Sequence, residues 1–128
     1  MKVQSDSKTS RNQEWVIVEN LVHASTILHA FGDDDKKNIL ITLATHPKTI
    51  NEVLTECNIP KTSGYRKIRS LINKGLITGN GSRRSDDNKR IASYVSTFSD
   101  LKIDFIKNKV RVKIRPNQNL KSTQMESI

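Results

Sequence analysis

Cysteine is almost absent from this chain. With Cys57 alone, no internal disulfide can form, and one thiol fits a protein kept in a reducing, intracellular setting. Apolar residues are scarce as well, at 34% of the 128 residues, so a core can form but tails or a subunit interface are expected around it. Met1 to Asp6 opens no apolar run, and no membrane-length run follows, so neither a secretory signal nor a transmembrane span is expected. There is no glycine-rich phosphate loop, no Cys–His or Ser–His pair in a recognisable setting, and no carboxylate cluster beyond Asp33-Asp34-Asp35. Nothing in the sequence supports catalysis or a cofactor. His23, His29 and His46 share no ligand spacing, and three adjacent aspartates cannot all face one ion, so no metal site is expected.

Positive charge is abundant, and it is unevenly placed. Residues 61–115 hold 15 Lys/Arg and 4 Asp/Glu, a net +11; the rest of the chain holds 7 and 9, a net −2. A field of that sign, concentrated in one half of a single domain, suits a polyanion partner.

The stretch from Thr49 to Ile77 organises the rest. Thr49-Ile50-Asn51-Glu52 is a capping box that opens a short helix with Val53, Leu54 and Cys57 inside. Asn58 tolerates the left-handed turn at a helix end, and Pro60 suits the first turn of a new helix. The second helix carries Ile68, Leu71 and Ile72 inward and stops at Lys74-Gly75. Two helices joined by a short turn, the second one basic, outline a helix-turn-helix. Gly64 inside that second helix costs about 1 kcal/mol in propensity, which implies close approach of the two helices.

The flanks complete an α+β architecture. Residues 1–13 are polar and aperiodic and are expected as a disordered tail. Residues 14–31 place Ile17, Leu21, Ala24, Leu28 and Phe31 on one helical stripe, although Trp15-Val16-Ile17-Val18 also suits a strand. Asp33 to Asp35 cap a further helix that carries Ile39, Leu40, Leu43 and Ala44 inward, so the helix-turn-helix region spans residues 34–75. Residues 76–95 read as a β-hairpin wing, with Gly79 to Ser82 as a turn cluster and Arg83 and Arg84 in its loop. Arg83 and Arg84 are expected on the minor groove or its phosphates, with Lys89 and Arg90 on the backbone at the wing's base. Asp86 and Asp87 offset this charge, and their place in the loop decides whether they repel DNA. Residues 101–115 alternate strictly around Lys107-Asn108. That pattern sets Phe105 against Val110, Ile103 against Val112, Leu101 against Ile114, and Asp104 against Arg111. Residues 116–128 are expected as a flexible tail.

The run T-I-N-E-V-L…C-N-I-P-K-T-S-G-Y-R-K-I-R-S-L-I-N-K-G-L-I resembles the winged helix-turn-helix regulators of the ArsR-like group, archaeal versions in particular, over roughly residues 27–95. The resemblance implies a three-helix core with a β-wing, preceded by a helix that packs on that core and often on a second subunit. It places Gly64, Ile68 and Leu71 toward the core and Lys61, Thr62, Ser63, Tyr65, Arg66 and Arg69 outward. In a helix lying in the major groove, Arg66 can bond guanine O6 and N7 together, and Thr62, Ser63 and Tyr65 can meet bases or phosphate. Lys61, Lys67 and Arg69 are expected on phosphates. Sensor relatives carry paired cysteines or His/Asp sets; the lone Cys57 does not match them. The C-terminal hairpin departs from relatives that end in a dimerisation helix, so their dimer geometry does not carry over.

Together these features point to a cytoplasmic, nucleoid-associated regulator of transcription that binds double-stranded DNA as a homodimer through its N-terminal helix, its C-terminal hairpin or both. Two other readings stay open: a winged helix used as a protein-interaction module, and an architectural binder of nucleic acid with little sequence preference.

Overall fold

The computed structural model describes residues 14–120. The elements run β1 (Val16–Ile17), α1 (Leu21–Phe31), α2 (Asp34–Thr45), β2 (Lys48–Thr49), α3 (Ile50–Glu56), α4 (Lys61–Asn73), β3 (Ile77–Arg84), β4 (Arg90–Ser96), β5 (Phe98–Ile106) and β6 (Lys109–Pro116). The strands form two antiparallel three-stranded sheets, ordered β2-β4-β3 and β1-β6-β5. The succession α2, β2, α3, α4 and the β3–β4 hairpin, with β2 as third strand of the hairpin's sheet, is a winged helix-turn-helix.

The local signals explain most boundaries. Asn20 Oδ1 accepts the Val22 and His23 N–H groups at 2.9 and 3.1 Å and starts α1, while Asp33 Oδ1 accepts the Lys36 N–H at 3.0 Å and starts α2. The capping box of α3 closes in both directions: Thr49 Oγ1 accepts the Glu52 N–H at 3.2 Å, and Glu52 Oε1 accepts the Thr49 N–H at 2.8 Å. Asn58 turns the chain at φ 58°. A Cβ on Gly64 would stand 2.5 Å from Leu54 Cδ2, so the glycine permits the close α3–α4 contact. Ile27 and Ala30 of α1, Ile39, Leu40 and Leu43 of α2, Val53 and Leu54 of α3, and Ile68 and Leu71 of α4 form one core. Phe98, Val112 and Ile114 close it from the second sheet, with Phe31 and Phe98 ring centroids 6.2 Å apart.

Four expectations are corrected. The helix expected over 14–31 begins only at Leu21. Val16 and Ile17 pair instead with Ile114 and Lys113 of β6, and the Val18 N–H reaches Val112 O at 2.8 Å. β-branched residues favour that extended pairing, and Trp15 anchors it beneath Lys102 Nζ and the Arg115 guanidinium, 4.7 and 4.3 Å from the ring centroid. Second, only part of the expected helical stripe is buried. Ala24 and Phe31 pack against the core beside the buried Ile27 and Ala30, whereas Leu21 stands 83% exposed.

Third, Gly79 to Ser82 is a bulge rather than the wing's turn. The β3–β4 register shifts between Gly79 and Ser82, Gly81 takes φ 80°, and Ser93 Oγ donates to Asn80 O at 2.8 Å. β3 therefore continues to Arg84. Fourth, the chain is still ordered after residue 115. Pro116 completes β6, and Asn117 is buried with Nδ2 donating to Ala44 O and Ser96 O at 3.2 and 3.0 Å. Leu120 is buried too. The expected tails at 1–13 and 121–128 lie outside the described residues.

The hairpin register agrees with the sequence pattern at every pair named, Phe105–Val110, Ile103–Val112, Leu101–Ile114 and Asp104–Arg111. The ion pair itself is diagonal, however: Asp104 Oδ2 lies 3.6 Å from Lys113 Nζ rather than against Arg111.

Candidate nucleic-acid interface

α4 divides cleanly by face. Gly64, Ile68 and Leu71 are buried, and Thr62, Arg66, Arg69 and Asn73 recur at i, i+4, i+7 and i+11 on the opposite, exposed side. Lys61 is exposed at the first turn. Among the described residues, no ion pair engages Lys61, Arg66 or Arg69, so their charges face solvent unneutralised. Ser63 is half-buried, with its hydroxyl 3.5 Å from Pro60 O.

Two residues flank this stripe. Tyr65, 39% exposed, leans toward α3, where its hydroxyl donates to Asn51 Oδ1 at 2.8 Å. Lys67, expected on phosphates, leans the other way, toward the start of α2. Its Nζ lies 3.3 Å from Asp33 Oδ2 and 3.0 Å from Asp35 Oδ2, pinning α4 to the N-terminus of α2. The Asp35 carboxylate chiefly, then Asp33, holds the Lys67 ammonium above its ordinary pKa of 10.5. The Lys36 N–H chiefly, against burial and with help from Lys67, holds the Asp33 carboxyl below 3.8. The aspartate run is thus a helix cap and a clamp. Among the described residues, no group of His, Cys, Asp and Glu could hold a metal.

The wing is placed differently from its expected geometry. Its tip is Asp86-Asp87-Asn88, closed by Ser85 N–H to Lys89 O at 2.7 Å, and the arginines lie below it on the strands. Arg83 donates through Nη2 to Glu52 Oε2, so one carboxylate caps α3 and moors the wing. Arg84 Nη1 donates to Asn88 O and Oδ1 at 3.3 and 3.1 Å, bracing the loop, and Arg90 Nη1 donates to Ser82 Oγ at 2.8 Å. All three guanidinium groups remain exposed, as does Lys89. The expected arginine-tipped loop is therefore corrected: because the bulge absorbs the glycine cluster, the positive charge sits on the wing's flank and base, and the tip is acidic.

The sequence pattern brings Lys61, Thr62, Arg66 and Arg69 to one surface and leaves Lys67 off it. Asn51 and Asn73 join that surface without having been singled out. Asn73 was readable from its helical spacing to Thr62, Arg66 and Arg69. Asn51 reaches the site only through the packing of α3 on α4, which no local spacing encodes.

No family model matches the chain, and no curated protein matches it. Among solved structures it is similar to the homodimeric winged helix-turn-helix DNA-binding domain of a possible ArsR-family transcriptional regulator from Mycobacterium bovis. The identity is 20%, and the match covers 75% of each chain at a TM-score of 0.46. A likeness at that level leaves the fold to rest on the chain's own topology. No helix among the described residues is long and apolar enough to cross a membrane.

Proposed function

We propose that this chain is a sequence-specific, double-stranded-DNA-binding regulator of transcription that works as a homodimer, in the manner of the ArsR-like regulators it resembles. It acts by occupying duplex DNA rather than by catalysis. The observation that carries the reading is the outward stripe of α4, where unpaired Arg66 and Arg69 stand with Thr62 and Lys61 opposite a fully buried face. A helix of this diameter fits the major groove, and Arg66 has the fork geometry for guanine O6 and N7. Thr62, Ser63 and Tyr65 meet base edges or phosphate, and Lys61 and Arg69 bind phosphates. The flank of the wing, through Arg83, Arg84, Lys89 and Arg90, lies along the backbone. The exposed Leu21 and Val22 of α1 and the exposed outer half of the C-terminal hairpin supply apolar surface for a second copy.

Fluorescence anisotropy tests this reading with random duplex, the protein's own upstream duplex and single-stranded RNA over a salt series. A regulator binds one duplex more tightly than the others. Its log affinity falls with log salt at a slope of about −0.9 per phosphate neutralised. Equal binding to every duplex would replace the reading with an architectural one. Absence of binding at low salt would give the basic face to another partner.

A further inference from the structure

β5 is the unpaired edge of the sheet ordered β1-β6-β5, and no backbone hydrogen bond reaches its outer side among the described residues. Lys107 and Asn108, at φ 52° and 66°, form a two-residue turn of the I′ kind. Such a turn makes Ile106 and Lys109 a hydrogen-bonded pair, so the alternation of the ladder points the N–H and C=O groups of Leu101, Ile103 and Phe105 away from β6. A long edge of this kind, with Ile103 and Phe105 46% and 72% exposed, is a template for another strand.

We propose that the occupant is β5 of a second copy, paired antiparallel about a twofold axis at Ile103. The sequence of the strand favours this register, and an axis at Leu101 would carry the pairing across the irregularity between Phe98 and Asp100. An axis at Lys102 would set Lys102 against itself and Asp100 against Asp104, with like charges opposed. An axis at Asp104 would oppose two carboxylates. Axes between residues would place apolar side chains against charged ones. With the axis at Ile103, that residue meets its own copy, Leu101 meets Phe105, and Lys102 meets Asp104, each of the last two twice by symmetry. Lys102 and Asp104 already lie on one sheet face with Trp15 and Lys113, so the pairing extends an existing row of charges. The two sheets fuse into one, ordered β1-β6-β5-β5-β6-β1. The inference rests on the homodimer reading and gives that dimer its surface.

Sedimentation equilibrium on the full chain tests it through Lys102→Asp, Asp104→Lys and the double exchange. Each single change opposes like charges twice and is expected to raise the dimer Kd about tenfold, and the double exchange to restore it. In a Cys57→Ser background, Ile103→Cys faces its own copy across a hydrogen-bonded pair about 5.5 Å apart between Cα atoms, within disulfide reach. It is expected to cross-link on mild oxidation, whereas Phe105→Cys, which faces Leu101, is not. If a charge-reversed variant loses its fold, the cysteine pair decides. A dimer indifferent to the exchanges, or cysteines that cross-link alike, would overturn edge pairing and leave the dimer standing. A wild-type monomer at every concentration would overturn the dimer as well.

Discussion

Gly64 shows how one residue sets the spacing between α3 and the basic helix α4. Its missing side chain lets Leu54 and Ile59 reach the α4 backbone, and an added Cβ would meet Leu54 Cδ2 at 2.5 Å and Ile59 Cγ2 at 3.2 Å. Alanine would gain about 1 kcal/mol of helix propensity. Overpacking a buried leucine costs about 1–3 kcal/mol. Because Leu54 is buried on all sides, Gly64→Ala is expected to lose about 1 kcal/mol net, read as a lower urea midpoint at unchanged slope. A raised midpoint would show that Leu54 repacks freely and that the glycine is not there for the contact. The same residue was legible in the sequence because a glycine inside a strong helical pattern is a cost that needs a reason. Arg83 was not: its tie to Glu52 joins two segments 31 residues apart, and only the fold brings them together.

At the scale of elements, the pieces fixed by neighbours in sequence were the readable ones. The Thr49–Glu52 box, the Asn58 turn and the β5–β6 register each depend on residues a few positions apart or on strict alternation. What escaped were competitions between elements. Trp15 to Val18 carries a pattern compatible with helix or strand, and the open side of β6 decides for strand. Asn117 looks like part of a polar tail, yet its amide bonds carbonyls of α2 and β4. Lys67 looks like one more cation on a basic helix, yet the aspartates capping α2 capture it.

That last clamp has a pH signature. The Asp33 carboxyl, held low chiefly by the Lys36 N–H, contributes stability above its unfolded pKa of about 3.9 and loses it as pH falls through the lower folded value. Lys67, held high, contributes below about 10.4 and loses it as pH rises through its folded value. Asp33→Asn keeps a capping oxygen but removes the charge. Its stability deficit against the wild type is therefore expected to be constant near neutral pH and to shrink below about pH 4. A deficit that persists unchanged at pH 2 in chemical denaturation would show that the charge of Asp33 plays no part.

For the molecule as a whole, charge is separated by region. The +11 carried by residues 61–115 spans α4, the wing and the C-terminal hairpin, while Asp33, Asp35 and Glu52 are consumed in internal contacts. Asp86 and Asp87 at the wing tip are the exception, and they leave the tip acidic and exposed. Under the proposed function, the reading of DNA falls to α4, with the wing alongside through its flank. The central claim is that Arg66 reads a base, and the direct measurement is the affinity of wild type and Arg66→Ala for a preferred duplex and its single-base variants. Arg66→Ala is expected to lose about 1–3 kcal/mol on the preferred duplex and to become indifferent at one base pair, while Arg84→Ala weakens every duplex alike. Equal, sequence-blind losses from both variants would contradict base reading by Arg66 and leave α4 a phosphate-binding helix.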